Sequence, residues 1–309
     1  MLVVCGEALI DLVPDGSGGY AARPGGSPAN VAVGLGRLGF DVALFARLAG
    51  DRFGAVLREH LGTSGVRLDL TVHSTAPTTL AVVHLDPYGV AGYDFYIDGC
   101  ADGTWRHEDL PAALPGTGAL HASGALALPV PALGAVLDEL LTREKPRRVL
   151  TFDPNIRPPL IRDEALVRAR LTRWLGLTDL VKASAEDLAW IAPGEPVEEV
   201  AARWRRRGPA VVVVTRGDKG AYAVGPAGPV DLPGVPVDVV DTVGAGDAFM
   251  AGLLAALERA GQLTRPGLAG LSGPALTAAL TYAQRVAAYT CGRAGANPPW
   301  ADELTRHRR

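Results

Sequence analysis

The short β-branched runs Val149-Leu150-Thr151-Phe152, Leu180-Val181 and Val211-Val212-Val213-Val214 constrain this chain more than any other feature. Helix-forming stretches at residues 130–141, 166–175 and 197–207 alternate with them. Strands that alternate with helices pair in parallel and are covered by those helices, so the fold class expected is α/β with a mostly parallel central sheet. Residues 78–86 and 93–98 differ, because their polarity is alternating or mixed and the turn-rich Pro87-Tyr88-Gly89-Val90-Ala91-Gly92 joins them. They read as a hairpin. With 309 residues the chain can form one large α/β domain, residues 1–309, with a small appendage. The Gly- and Pro-rich stretches 14–26 and 225–236 read as short loops, and no internal repeat or low-complexity segment is found.

A formal net charge of -3 gives no electrostatic basis for binding nucleic acid. The cluster Arg203, Arg205, Arg206 and Arg207 reads as a solvated helix face. Cys5, Cys100 and Cys291 lie far apart in no metal-ligand spacing, and so sparse and odd a set points to a reducing compartment, hence the cytoplasm. Leu2-Val3-Val4-Cys5 follows Met1 without a charged leader region, and no apolar run is long enough to span a bilayer, so no membrane partner is expected.

Chemistry enters with Asp241-Thr242-Val243-Gly244-Ala245-Gly246-Asp247-Ala248-Phe249, which sets a carboxylate beside small-residue backbone at the start of an apolar run. The run through Leu257 is mostly good helix former with apolar residues on every side, so a buried helix should begin near residues 244–247. A helix N-terminus carries about half a positive charge and unpaired N–H groups. Glycine lets an anion approach that backbone closely. Gly244, Ala245 and Gly246 would hold the anion, and Asp247 could take the proton of an attacking hydroxyl. Asp247 as a simple helix cap is the competing reading.

The segment from Gly25 to Gly39 reads as a tight glycine turn followed by a helix, with Ser27 as N-cap and Pro28 in the first helical position. Asn30, in the first turn, could hydrogen-bond sugar hydroxyls, with Gly25 and Gly26 leaving room for the ligand. Paired glycines before a capped helix are otherwise only a turn.

Together the two segments resemble the two signature motifs of the ribokinase/PfkB family of carbohydrate kinases. Gly6-Glu7-Ala8-Leu9-Ile10-Asp11, Gly50-Asp51-Arg52-Phe53-Gly54, Asp153-Pro154-Asn155-Ile156-Arg157, Thr215-Arg216-Gly217-Asp218-Lys219-Gly220 and Arg293-Ala294-Gly295-Ala296 resemble further landmarks in the family's order. The resemblance spans essentially the whole chain. Asp-Pro-Asn-x-Arg at 153–157 and Cys100-Ala101-Asp102 look most like bacterial fructokinases. It implies a three-layer α/β/α sandwich with a small β-sheet lid from segments near 12–24 and 69–103, a lid often shared in a homodimer. Closing a lid would exclude water from the activated phosphate.

The resemblance also implies ATP with Mg2+ as cofactors and in-line transfer of the γ-phosphoryl group to a sugar hydroxyl, with Asp247 as base. Asp11 follows an apolar strand-like run and would enter the sugar pocket at that strand's end, where α/β sheets bind ligands, or simply start a turn. Gly25, Gly26 and Asn30 complete the acceptor pocket by resemblance, and Arg157 could pair with a phosphate or an acidic group or sit in a surface salt bridge. Thr215, Gly217 and Gly220 follow an apolar strand and match the nucleotide loop, as do Lys182 and Ser184 in Lys182-Ala183-Ser184-Ala185-Glu186-Asp187. That segment departs from the family's Asn-x-x-Glu pattern, leaving open whether Glu186 or Asp187 supports magnesium through water. Asp241, Val243, Thr290, Arg293 and Gly295 match positions that hold a monovalent cation in relatives, mainly through carbonyls, which leaves potassium open.

Gly34-Leu35-Gly36-Arg37-Leu38-Gly39 has the spacing of a dinucleotide fingerprint but falls within the helix begun at Ser27, with the strand after it. No G-x-x-x-x-G-K-[ST] loop of a P-loop kinase is present. A non-catalytic sugar or nucleotide sensor on the same fold is the remaining class, opposed by Asp247 and its Gly-Ala-Gly backbone. Fructose is the acceptor favoured by the fructokinase-like segments. The alternatives are 2-keto-3-deoxygluconate, which Asp98 would repel if it faced the pocket, and ribose or a nucleoside.

Overall fold

A computed structural model of the protein describes residues 1–85 and 91–306. The chain runs through β1 (Leu2–Cys5), β2 (Leu9–Pro14), β3 (Tyr20–Gly25), α1 (Ser27–Arg37), β4 (Val42–Phe45), β5 (Arg47–Ala49), α2 (Arg52–Thr63), β6 (Val66–Arg67), β7 (Val72–Ser74), β8 (Leu80–Leu85) and β9 (Ala91–Tyr96). It continues through β10 (Leu120–Ser123), α3 (Pro131–Glu144), β11 (Leu150–Asp153), α4 (Glu164–Leu177), β12 (Leu180–Ser184), α5 (Ala185–Ile191), α6 (Val197–Arg205) and β13 (Val211–Thr215). The last elements are β14 (Ala221–Gly225), β15 (Gly228–Leu232), α7 (Ala245–Arg259), α8 (Arg265–Ala269), α9 (Gly273–Cys291) and α10 (Ala301–Arg306).

Nine strands form the central sheet in the order β15-β14-β13-β12-β11-β10-β1-β4-β6. All neighbours pair in parallel except β13 with β14 and β14 with β15. The β-branched runs are almost wholly apolar because both faces are covered. Val211 and Val213 enter an apolar layer with Leu253 and Leu280 of α7 and α9, while Val212 and Val214 enter another with Leu171 and Trp174 of α4. The expected α/β class and parallel core are therefore present. The strands at 150–153, 180–184 and 211–215 and the helices α3, α4 and α6 fall where the sequence places them. Helix α6 stops at Arg205, so Arg206 and Arg207 lie in the exposed turn after it.

Two stretches expected as loops contain strands. Residues 20–25 pair antiparallel with β2, and residues 228–232 pair antiparallel with β14. Glycine and proline at their turns mask a pairing that the partner strand supplies. The small sheet has the order β3-β2-β8-β9, so the expected hairpin of β8 and β9 is antiparallel, and the centre of its connection, residues 86–90, lies outside the described residues. Residues 72–74 belong instead to a separate pair with β5.

Connections from β1 lead through α1 to β4 on one side, while β10 flanks β1 on the other. Such a switch point opens a crevice at the C-terminal ends of the strands, where α/β sheets bind ligands. Helices α1 and α7 close over it. They meet at Gly34, where a Cβ would lie 2.6 Å from the Cβ of Ala251. The spacing Gly34-x-Gly36-x-x-Gly39 thus serves helix packing inside α1 and is no dinucleotide turn. Gly34→Val gains a few tenths of a kcal/mol in helix propensity at most, against about 1–3 kcal/mol of overpacking. A lower urea midpoint and a reduced kcat are expected for Gly34→Val; an unchanged midpoint would refute the close approach of these helices.

Candidate active site

Gly244 precedes α7 in the left-handed region at φ 76°, and a Cβ there would come within 2.5 Å of the Ala296 Cβ. Only glycine meets both demands. Ala245 N–H donates to the Thr242 carbonyl at 3.2 Å, and Ala248 N–H to that of Gly244 at 2.8 Å. The N–H groups of Gly246 and Asp247 have no backbone partner among the described residues, so they are the amides free to bind an anion. The Asp247 carboxylate stands in the same turn and is held from α1. Ser27 Oγ–H donates to its Oδ1 at 2.7 Å, and Asn30 Nδ2–H donates to its Oδ2 at 2.9 Å. Ser27 in turn accepts from the Ser123 hydroxyl at 3.0 Å.

This geometry corrects one expectation. Gly26, at φ 99°, is the N-cap of α1, and Ser27 is its first helical residue. The Ser27 hydroxyl turns to Asp247 because a hydrogen bond to a carboxylate is stronger than a neutral one with a backbone amide.

Beneath α7, the buried Lys182 ammonium pairs with Asp153 at 2.7 Å and donates to the Gly246 carbonyl at 3.1 Å. Burial works against the charged amine, but Asp153, joined by Asp247 and Asp187, outweighs it and raises the pKa of Lys182. A fixed positive charge therefore lies under the amides that face the cavity. Asp153 was legible only as part of a landmark segment, since nothing local names its partner 29 residues away.

The cavity, about 890 Å³, runs along these groups and is near the upper end of the range for ordinary ligand sites. At one end lie Asp11, Asn30, Gly26 and Arg157, with Tyr93 and Phe95 of β9 beside them. Asp11 stands inside β2 of the small sheet, opposite Arg23 of β3, and not at the end of a central strand as expected. Gly25 lies beneath Asp11: a Cβ there would meet Asp11 Oδ2 at 2.1 Å, so this glycine makes room for the carboxylate and not for a ligand. Burial, then Asp247, pushes the Asp11 carboxyl up to about 6 against the pull of Arg157. Arg157 is exposed at the cavity. Asp98 is also exposed, paired with Arg162 at 3.3 Å, and does not line the cavity, so it plays no part in selecting an acceptor there.

The other end brings together Ser184, Glu186, Thr215, Gly217 and Gly220. Gly220 is held at φ 88° where a Cβ would strike the Leu232 carbonyl. Asp187 is buried with both oxygens committed, to the Ile156 N–H at 2.6 Å and the Ser184 N–H at 2.7 Å. Glu186 is exposed in the cavity. Of the two carboxylates left open by the sequence, the exposed Glu186 is the more accessible to the waters of a cation such as magnesium. No group of three or more metal-ligating side chains occurs among the described residues. An apolar wall missed in the sequence, Val235, Val237, Val239 and Ala287, lines the same end. Asp241 accepts from Val243 N–H at 3.0 Å and Gly295 N–H at 2.8 Å, and Arg293 N–H donates to the Thr290 carbonyl at 3.1 Å. The two loops proposed to hold a monovalent cation are thereby side by side.

Residues 1–303 match the family described as pfkB family carbohydrate kinase. The chain belongs to that family. It is 40% identical over 280 residues to a fructokinase of Rhizobium leguminosarum bv. trifolii, covering 89% of this chain and 85% of that protein. The fold is similar to the fructokinase of Xylella fastidiosa solved with bound ATP, at TM-score 0.88 and 28% identity over 99% of this chain and 98% of that one. It is similar also to the fructokinase of Vibrio cholerae O395 solved with fructose, ADP and calcium ion, at TM-score 0.82 and 29% identity over 96% of this chain and 94% of that one. The ribokinase-like architecture and the reaction class, ATP-dependent phosphoryl transfer to a sugar, follow from membership. No helix among the described residues is long and apolar enough to cross a membrane.

Two further acids set the electrostatics of this kinase. Glu7 is 1% exposed, accepts the Ser27 N–H at 3.1 Å on Oε1, and has no hydrogen-bond partner at Oε2. Burial, then Asp102, pushes its carboxyl up to about 8. Burial likewise pushes Asp102 up to about 7. Thr79, Ala8 and Trp105 hold that rise in check, yet none meets a buried Asp102 oxygen in hydrogen-bond geometry. Both acids keep a proton in the folded chain at pH values where the unfolded chain has released it. The folded state then binds more protons than the unfolded one, so stability falls as pH rises toward about 8. The denaturation midpoint is expected to drop between about pH 6.5, the ordinary imidazole value, and pH 8. A flat or rising midpoint across that interval would show that these acids are ionised in the fold.

Proposed function

We propose that the chain is a fructokinase, moving the γ-phosphoryl group of ATP to a hydroxyl of fructose. The observation that carries this reading is the Asp247 carboxylate, clamped by Ser27 and Asn30 at the free N-terminus of α7 in one cavity with two chemically different ends. The fructokinase relatives support fructose as acceptor. Asp11 and Asp247 outnumber Arg157 at the acceptor end, which favours a neutral sugar over an acid.

In this mechanism Asp11 and Asn30 orient the sugar and Asp247 accepts its hydroxyl hydrogen bond. The hydroxyl oxygen forms the new bond to the γ-phosphorus in line as the bridging P–O bond breaks, its electron pair leaving with ADP. The hydroxyl proton passes to Asp247. The Gly246 and Asp247 amides, with the Lys182 charge beneath, stabilise the oxygens of the phosphoryl group in flight. Arg157 closes the acceptor end by pairing with phosphate oxygen. Thr215, Gly217 and Gly220 cradle the nucleotide, with Ser184 beside them and the base against the valine wall. Magnesium, held through its waters near Glu186, would supply shielding of the phosphate charge. The loops carrying Asp241, Val243, Thr290, Arg293 and Gly295 offer carbonyl oxygens suited to potassium.

The small sheet acts as the lid, with Tyr93 and Phe95 covering the acceptor end and excluding water. Its edge strands β3 and β9 carry the exposed Tyr20 and Tyr96, which supports a homodimer through the lid. Sedimentation should give twice the chain mass of 32.1 kDa, and a Tyr20→Lys, Tyr96→Lys double variant should sediment at the single mass; a parent that sediments as one chain rejects the dimer.

The reading is tested by ADP release from magnesium-ATP with fructose, 2-keto-3-deoxygluconate, ribose and adenosine, with and without potassium. Stimulation by fructose above the others is expected. Stimulation by a different acceptor alone replaces the substrate and keeps the mechanism. Asp247→Asn should fold, bind ATP and lose about 10²–10⁴-fold in kcat; turnover near the parent's would remove Asp247 from the base role.

A further inference from the structure

Glu7 follows β1 directly, at the switch point between β1 and β10, and is buried with one oxygen unpartnered. Three titratable groups face it from the elements around it: Cys5 from β1, Asp102 from the short turn Ala101–Gly103, and Asp247 from α7. None is a cation, and Glu7 forms no ion pair among the described residues; Arg47, whose charge acts on Asp102 from a distance, is itself paired with Asp109 at 2.6 Å. A carboxylate so placed is destabilised three ways: by lost hydration, by two neighbouring acids, and by an oxygen with nothing to accept from. Its one side-chain hydrogen bond, Oε1 with the Ser27 N–H, favours the carboxylate but is not enough to offset these effects, and the carbonyl oxygen of a neutral carboxyl can accept it too. The contact matters because Ser27 is the residue whose hydroxyl holds Asp247 Oδ1.

We propose that Glu7 is a positioning residue for Asp247, acting through Ser27, and that it works as a neutral acid whose proton is kept by the buried pair it forms with Asp102. The inference rests on Asp247 being the base. With one proton in the pair, the floor of the site carries a single buried negative charge beneath Ser27. Loss of that proton adds a second charge next to Asp247 and to the amides that must receive the phosphoryl anion. The site then opposes the transfer it was arranged to favour. Neither Glu7 nor Asp102 touches the reacting atoms, so their effect is on kcat and its pH dependence more than on nucleotide affinity.

The experiment is the pH profile of kcat with saturating acceptor and ATP for the parent, Glu7→Gln and Glu7→Ala. The Glu7→Gln amide keeps a carbonyl for the Ser27 N–H and leaves Asp102 as the single charge, which reproduces the active state of the pair at every alkaline pH. The parent's kcat should fall above about pH 8. Glu7→Gln should recover to within about threefold of the parent at neutral pH and lose that alkaline fall, while Glu7→Ala drops roughly ten- to a hundredfold in kcat with little change in the KM for ATP. Three results would overturn the proposal: a Glu7→Gln enzyme as impaired as Glu7→Ala, which requires an anion at this position; an alkaline fall unchanged by Glu7→Gln; or a Glu7→Ala enzyme with parental kcat. If Glu7→Ala does not fold, the Glu7→Gln profile decides alone. Asp247→Asn, run alongside, separates the two readings: an active Asp247→Asn removes the base assignment, whereas an inactive one beside a fully active Glu7→Ala removes only the role of Glu7.

Discussion

The site depends on one meeting of helix ends. Ser27 and Asn30 at the start of α1 hold the carboxylate of Asp247 at the start of α7, across more than 200 residues of chain. Two donors on two oxygens fix the plane of the carboxylate, so one of its remaining lone pairs points in a set direction. The same encounter leaves the Gly246 and Asp247 amides uncommitted. Glycines enforce it: Gly34 lets the helices approach, Gly244 turns the chain into α7, and Gly25 makes room for Asp11.

Around that encounter the charges are arranged against expectation for a site that must receive a polyphosphate. Glu7, Asp11, Asp102, Asp153 and Asp247 all lie in or under the cavity, and the buried cations beside them are Lys182 and, near Asp102, Arg47. Ionised together they would repel the substrate. Burial eases the conflict by keeping Glu7 protonated, and the Lys182–Asp153 pair cancels another charge, leaving the helix N-terminus to present positive potential where phosphate arrives.

Much of this was legible in the residues. The alternating runs gave the parallel sheet because a strand buried on both faces has no polar positions to lose. Asp247 with its small neighbours placed a carboxylate and close-approach backbone at the start of α7, where the structure puts them. The strands at 20–25 and 228–232 were not legible, since edge and hairpin strands take their register from partners that local propensity does not reveal. Asp11 was expected at a strand's end and lies inside β2 for the same reason. Ser27 was assigned as a cap on local chemistry, and a carboxylate from the far end of the chain claimed its hydroxyl.

By itself, then, the sequence determined the α/β class, the membership implied by two motifs, and the residue types of the proposed base and anion hole, because hydrophobic periodicity and glycine freedom act over a few residues. Only the tertiary structure decided which acids are neutral, which oxygens of Asp187 and Asp247 are occupied, and that Glu7 stands beneath the base. Protonation and hydrogen-bond partnership are set by burial and by neighbours distant in the chain, and neither quantity exists until the chain has folded.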